Sequence, residues 1–200
     1  MKGICYLVCA GDPVPLDFTP VDGDLVIAVD GGYDHLRRAG LSPQLCVGDF
    51  DSLGVVPDEK NTVVLDPVKD VTDTFAAAAE GLERGYTEFR FYCALGGRLS
   101  HTLANIHTLA YLLHNGARGV IVGDGTEITV LDKFAAIGDC YYFSLFPLTE
   151  TATVRIEGSK YDGTFTFTHA DSLGVSNEPL QNATVTVLHG EVIAITEKNK

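Results

Sequence analysis

The sequence predicts an α/β protein, in which a mostly parallel α/β sandwich domain is followed by a small all-β domain of sandwich or barrel-like form. Up to residue 125, short apolar runs that do not alternate are separated by amphipathic helical segments. This pattern is typical of a parallel sheet covered on both faces. Beyond residue 125 the helical pattern stops, and short runs rich in Val, Thr, Phe and Tyr follow. We therefore expect two domains, residues 1–125 and residues 126–200.

The predicted elements follow from these runs in chain order. In the first domain we expect strands at 4–9, 25–29, 45–47, 62–65, 89–93 and 120–122, and helices at 31–39, 72–84 and 102–114. A glycine follows each predicted helix within two residues, as is common at helix ends. In the second domain we expect strands at 126–131, 141–146, 152–156, 164–168, 183–188 and 192–196. That domain is small, so we expect it to gain stability from the first domain or from a second subunit.

Composition excludes several classes of function. The chain has 14 basic and 27 acidic residues and a formal net charge of −13, so a nucleic-acid partner is not expected. Its five cysteines include no C-x-x-C pair and mostly lie in apolar runs, which favours reduced core residues and a cytoplasmic protein. No apolar stretch approaches the roughly 20 residues that cross a bilayer, so we expect no membrane partner.

The densest group of functional residues is the loop Gly48-Asp49-Phe50-Asp51-Ser52-Leu53, which follows the predicted strand 45–47. Asp49 and Asp51 lie two residues apart, and their charges repel unless a cation bridges them or one is protonated. A hard divalent ion with oxygen ligands, such as Mg²⁺, removes that repulsion. A solvated turn is the structural alternative, because Asp, Ser and Gly are turn residues.

Three further loops follow predicted strands. Asp30-Gly31-Gly32 leads from a strand into a helix, where it could approach an anion or simply form a turn. Lys69-Asp70-Val71-Thr72-Asp73 begins the alanine-rich helix; Asp70 could cap that helix, while Lys69 could hold a phosphate. Gly96-Gly97-Arg98 offers a guanidinium for bidentate phosphate binding, and His101 and Asn105 follow it on the next helix.

Together these loops place carboxylates, one lysine and one arginine at the edge of an open α/β sheet where ligands bind. Carboxylates that hold Mg²⁺ and cations that hold phosphate oxygens are typical of phosphoryl transfer. The chain has neither G-x-x-x-x-G-K-[ST] nor G-x-G-x-x-G, so neither a P-loop nor a dinucleotide-binding fingerprint accounts for the site.

In this order the four loops resemble the motifs of the thiamine pyrophosphokinase family. That family has a D-G-G turn, a G-D-x-D-S-L loop, a K/Q-D-x-T-D helix start and a G-G-R-x-D-H turn with a downstream Asn. The second half resembles the family's thiamine-binding domain, with Ser144-Leu145-Phe146-Pro147-Leu148 matching a strand, Gly158-Ser159-Lys160-Tyr161 a G-x-K-[YW] turn and Val175-Ser176-Asn177-Glu178 an S-N-E turn. The resemblance therefore covers nearly the whole chain.

The resemblance implies transfer of the β,γ-diphosphate of ATP to the hydroxyl of thiamine, giving thiamine diphosphate and AMP. It also implies a Mg²⁺-dependent homodimer whose thiamine site is shared between subunits. Carried over by motif, the metal residues are Asp49, Asp51 and Asp73, and the catalytic residues are Asp73, Asp51 and Arg98. The implied ATP-binding residues are Asp30, Gly31, Gly32, Lys69, Arg98, His101 and Asn105. The implied thiamine-binding residues are Tyr161, Ser176 and Asn177.

Two departures from the family pattern leave alternatives open. Ser100 stands where the family usually has Asp, and Cys93 where it often has Gly. One alternative is a Mg²⁺-dependent phosphatase with Asp49 as nucleophile, although that pattern expects Thr or Val at the position of Leu53. The other is a non-catalytic regulator that binds thiamine or nucleotide.

Overall fold

The computed structural model describes residues 2–50, 62–64 and 70–198. The chain divides by its internal contacts into two compact units, Met1–Asp124 and Gly125–Lys200.

The first unit is a parallel sheet interleaved with helices. Its elements are β1 (Cys5–Val8), β2 (Leu25–Val29), α1 (Gly32–Arg38), β3 (Leu45–Gly48), β4 (Thr62–Val64), α2 (Asp73–Glu83), β5 (Glu88–Tyr92), α3 (Leu99–His114) and β6 (Arg118–Val122). The strands pair in parallel in the order β4-β3-β2-β1-β5-β6. The order therefore reverses at β1, which has β2 on one side and β5 on the other.

Apolar side chains cover both faces of this sheet, as its non-alternating strands require. On one face, Leu36 of α1 and the half-buried Phe18 pack with residues of β1, β2 and β5. On the other face, α2 lies so close to the sheet that a side chain at Gly81 would meet the ring of Phe89. Leu109 and other buried residues of α3 also lie against this unit's core. The strand ends are thereby fixed relative to the helices that follow them.

The second unit consists of antiparallel strands in two layers. Its strands are β7 (Thr126–Leu131), β8 (Phe134–Ala136), β9 (Tyr142–Pro147), β10 (Thr151–Ser159), β11 (Gly163–Thr168), β12 (Pro179–His189) and β13 (Val192–Glu197). One layer has the order β7-β13-β9 and the other β11-β10-β12-β8. Alternate residues of both layers, including Phe143, Val154 and Val185, form one buried cluster between them.

The predicted fold class is confirmed, and the differences are local. α3 begins at Leu99, three residues before the predicted start, because the extended backbone of Arg98 allows the helix to begin there without a side-chain cap. The short strand β8 was not predicted, because it forms only by pairing with the distant β12. Among the described residues, no helix has both the length and the apolar character needed to span a bilayer.

The prediction that Asp70 could cap the alanine-rich helix is wrong. Thr72 is the N-cap of α2, and its side-chain oxygen accepts a hydrogen bond from the backbone N–H of Phe75 at 3.2 Å. Asp73 occupies the first turn, where a carboxylate interacts favourably with the helix dipole.

Candidate active site

A cavity of about 260 Å³ lies at the carboxyl-terminal edge of the parallel sheet in the first unit. Its walls come from residues at or just after the ends of four strands, β1, β2, β3 and β5, from the start of α2 and from the first two turns of α3. The lining residues predicted from sequence are Asp30, Asp49, Asp73, Arg98, His101 and Asn105. Parallel pairing brings the ends of these strands to one edge, so segments distant in sequence meet at one site.

Three of the strand ends at this edge have an unusual backbone conformation. Asp30 after β2, Phe50 in the loop after β3 and Cys93 after β5 have φ angles of +48°, +55° and +53°. Left-handed conformations cost residues with a Cβ free energy, and they cluster at functional sites, where the surrounding structure holds them in place. Asp30 and Cys93 also line the cavity, so two of the three strained positions lie at the site itself.

The carboxylates of Asp30, Asp49 and Asp73 provide oxygen atoms of the kind that Mg²⁺ prefers. All three side chains are partly buried. Within residues 2–50, 62–64 and 70–198, no three His, Cys, Asp or Glu side chains are close enough to bind one metal ion together. The predicted ligand Asp51 lies outside the described residues, as does the predicted phosphate contact Lys69.

The Gly-Gly-Arg turn forms another wall of the cavity. Gly96 and Gly97 have φ angles of +81° and +60°, and a Cβ at Gly96 would overlap the carboxylate of Asp12. Glycine suits position 96 because of its positive φ, and a Cβ there would also displace the Asp12 carboxylate. Arg98 is exposed at the cavity and is the N-cap residue of α3. The turn thus presents a guanidinium beside open main chain.

Asn105 stabilises the wall of the cavity through a buried hydrogen bond. Its side chain is buried, and Nδ2 donates a hydrogen bond to the carbonyl oxygen of Ala94 at 2.7 Å. The bond ties α3 to the segment that follows β5. His101, one helical turn earlier, is exposed and also lines the cavity.

The glycines of the Asp30-Gly31-Gly32 turn do not line the cavity, although Asp30 does. A Cβ at Gly32 would overlap the carbonyl oxygen of Val8, so this glycine allows α1 to approach the end of β1. Gly31 has an ordinary helical φ of −58° and is the N-cap residue of α1. The structure thus gives Gly32 a packing role that the sequence does not reveal.

Two cysteines that the sequence indicates as core residues also line the cavity. Burial raises the pKa of the Cys9 thiol to about 12, although a hydrogen bond from Thr74 opposes the shift. Burial likewise raises the pKa of the Cys93 thiol. Both groups are therefore neutral thiols near pH 7, and neither is an activated nucleophile. The position of Cys9 at the carboxyl end of the predicted strand 4–9 is the one sequence signal that could have indicated its place in the cavity.

In the second unit, Tyr161 and Asn177 lie together at a separate cavity of about 510 Å³. This cavity is lined mainly by apolar residues, among them Phe165 and Leu173. Tyr161 is 56% exposed, and the ammonium group of Lys160 lies 5.7 Å from the centre of its ring. Ser176 does not line this cavity, but it is exposed on the adjoining turn with a φ of +56°.

Comparison with known proteins agrees with this division of the chain. Residues 21–121 match the family model of the thiamin pyrophosphokinase catalytic domain, and residues 128–191 match that of the thiamin pyrophosphokinase vitamin B1 binding domain. The chain belongs to the thiamin pyrophosphokinase family.

Individual members of the family support the same conclusion. The chain is 28% identical to thiamine pyrophosphokinase of Bacillus subtilis (strain 168) in an alignment 185 positions long, which covers 87% of this chain and 78% of that protein. A crystal structure of thiamin pyrophosphokinase from Geobacillus thermodenitrificans has a TM-score of 0.85 and 26% identity, covering 99% of both chains. A crystal structure of thiamine pyrophosphokinase from Bacillus subtilis, at 24% identity, shows the same fold, with a TM-score of 0.87 over 99% of this chain and 100% of that chain.

Membership in the thiamin pyrophosphokinase family makes this chain an enzyme of thiamine diphosphate biosynthesis that uses ATP as co-substrate. The two departures from the family pattern can now be placed. Ser100 lies in the first turn of α3 and is exposed. Cys93 lies in the left-handed region of φ, which explains why glycine suits this position.

Proposed function

We propose that this chain transfers the β,γ-diphosphate of ATP to the hydroxyl group of thiamine at the cavity of the first unit. The observation that carries the proposal is the gathering of Asp30, Asp49, Asp73 and Arg98 around one cavity at the carboxyl edge of a parallel sheet. Such transfer depends mainly on placing the reacting groups and neutralising the charge that develops on phosphate oxygens. A site with carboxylates on one wall and a guanidinium on another fits that requirement.

The polyphosphate of ATP would lie along the Gly-Gly-Arg turn. The guanidinium of Arg98 would donate two parallel hydrogen bonds to phosphate oxygens, a geometry that lysine does not offer. The main chain at Gly97 can be approached closely, because among the described residues, its chain neighbours aside, no atom lies within 4 Å of the place where its Cβ would be. Lys69, His101 and Asn105 are proposed to complete the ATP site with the Asp30-Gly31-Gly32 turn.

The carboxylates fit a hard divalent ion, and we propose Asp49, Asp51 and Asp73 as residues that would hold Mg²⁺. Bound there, Mg²⁺ would neutralise phosphate charge and strengthen the electrophilic character of the transferred phosphorus. The net charge of −13 favours such a cation, because an acidic protein otherwise repels a polyphosphate. Asp73, at the start of α2, is also our candidate for accepting the proton of the thiamine hydroxyl.

Thiamine is proposed to bind at the exposed turns that carry Tyr161 and Ser176. The aromatic face of Tyr161 would attract the positively charged thiazolium ring, and the hydroxyl of Ser176 would donate or accept a hydrogen bond. We further propose a homodimer in which the first unit of one subunit and the second unit of the other share each thiamine site. Domain 1–125 would thus hold ATP and the metal, and domain 126–200 would bind thiamine and support dimerisation.

We also propose a cytoplasmic location. All five cysteines of the chain are free, and four of them are buried. A protein that keeps buried free thiols suits a reducing compartment.

Product analysis tests the proposed reaction directly. Incubation of the purified protein with ATP, Mg²⁺ and thiamine should give AMP and thiamine diphosphate in equal amounts, measured by chromatography. Release of inorganic phosphate without thiamine diphosphate would instead support a phosphatase. Tight binding of substrates without turnover would support a regulator.

The substitution Asp73→Asn should lower kcat/KM by at least about a hundredfold, because it removes a carboxylate from the metal and phosphate site. Asp34→Asn is a matched control, since Asp34 also lies in the first turn of a helix and pairs with Arg37 at 3.1 Å outside the cavity. The control should retain near-normal activity. Equal activity of the two variants would reject the role of Asp73.

Mixing two impaired variants tests the shared thiamine site. Arg98→Ala should disable the ATP site, and Tyr161→Ala should weaken thiamine binding about tenfold, so both parent variants should be slow at thiamine concentrations far below KM. Heterodimers of the two, verified by tagged purification, should regain up to about half of the normal activity, because one of their two sites has both native residues. Activity that stays at the level of the parent variants would contradict a site shared between subunits.

A further inference from the structure

The side-chain amide of Asn177 forms all of its hydrogen bonds within the protein. Oδ1 accepts hydrogen bonds from the backbone N–H groups of Tyr161 at 3.1 Å and Glu178 at 2.9 Å. Nδ2 donates to Ser159 Oγ at 3.0 Å and to the carbonyl oxygen of Tyr161 at 3.1 Å. An asparagine amide has two donor hydrogens and an oxygen with two lone pairs, so these four bonds use its full capacity. The residue is 4% exposed and has no polar group left for a ligand.

Two of these bonds hold the backbone of Tyr161 from both sides. Oδ1 of Asn177 accepts from the N–H of Tyr161, and Nδ2 donates to the carbonyl oxygen of the same residue. The amide therefore pairs with Tyr161 much as a neighbouring β-strand would pair with it. This two-point contact restricts the direction in which the exposed Tyr161 ring leaves the turn.

Asn177 is itself fixed to the hydrophobic core. Its backbone N–H donates to the carbonyl oxygen of Phe143 at 2.8 Å, and the N–H of Phe143 donates back to its carbonyl oxygen at 2.9 Å. Phe143 belongs to β9 and is 1% exposed within the core cluster of the second unit. A continuous set of hydrogen bonds therefore runs from a core strand, through Asn177, to Tyr161.

A second set of bonds closes the same turn. The carboxylate of Asp162 accepts from the backbone N–H groups of Ser159 at 2.7 Å and Gly158 at 3.2 Å, and from Ser159 Oγ at 3.0 Å. The backbone bond from Ser159 is the main reason that the pKa of Asp162 is lowered. Ser159 Oγ thus links Asp162 to Asn177, so the turn is held on both sides of Tyr161.

We propose that Asn177 is a positioning residue, which holds Tyr161 in place for thiamine and does not contact thiamine itself. This inference rests on the proposed contact between Tyr161 and thiamine. It changes the role that the family resemblance implies for Asn177, from a ligand contact to a support of the residue that makes the contact.

The test is a double-mutant comparison on the full-length enzyme. Tyr161→Ala should raise the KM for thiamine about tenfold, the scale of one lost aromatic contact with a cation. Asn177→Ala should raise the same KM and leave the KM for ATP within about twofold. The double variant should match Tyr161→Ala alone, because Asn177 has no effect once the ring that it positions is absent.

Two further variants separate positioning from general loss of stability. Val192→Ala removes two buried methyl groups from the core of the same unit without changing a residue of the turn. It should lower the melting temperature and leave the thiamine KM unchanged. Asn177→Asp keeps the acceptor oxygen but loses both donors, so it should raise the thiamine KM even if Asn177→Ala fails to fold.

The outcomes distinguish this inference from the proposed function. If Tyr161→Ala raises the thiamine KM and Asn177→Ala multiplies that effect in the double variant, Asn177 contacts thiamine directly and the positioning role is wrong. An unchanged thiamine KM in both Asn177 variants would also overturn it. If Tyr161→Ala itself leaves the thiamine KM unchanged, the proposed thiamine contact fails, and the inference fails with it.

Discussion

Parallel pairing of β1 with β2 and with β5 is the constraint on which the candidate active site depends. It brings the residues after four strands to one edge, although they are separated by up to about ninety positions along the chain. Because the strand order reverses at β1, the following segments diverge and leave a cavity between them. The carboxylates and Arg98 therefore lie close together in space although they are far apart along the chain.

Several residues at the cavity have conformations that lower the stability of the fold. Asp30, Phe50 and Cys93 all adopt left-handed backbone conformations at this edge. For a residue with a Cβ, this conformation costs roughly 1 kcal/mol of conformational free energy. Burial keeps the thiols of Cys9 and Cys93 neutral at the cavity. The buried side chain of Asn105 holds α3 against the segment that follows β5. In the second unit, Asn177 uses a buried amide in the same way, to hold a turn whose Tyr161 ring remains exposed.

Much of the fold could be predicted from sequence because its signals are local. Apolar runs and helix-ending glycines predict β1 to β6 and the three helices within a few residues. Pairing between distant segments gives no such signal, so β8 and the true lengths of β10 and β12 were missed. The same limit applies to the site. The motifs at strand ends predicted that Asp49, Asp73 and Arg98 are site residues, whereas the sequence around Cys9 indicated only a core residue. The role of Asn177 depends on partners 16 and 18 positions away.

Hydrogen exchange on binding of a non-hydrolysable ATP analogue with Mg²⁺ tests the central claim most directly. The account predicts that the segments 9–11, 30–34, 72–76 and 96–101 become protected together, because each contains residues that line one cavity. Each segment should show slower exchange at the same analogue concentration. Saturated binding that protects only one of these segments, or none of them, would contradict a single polyphosphate site at this edge of the sheet.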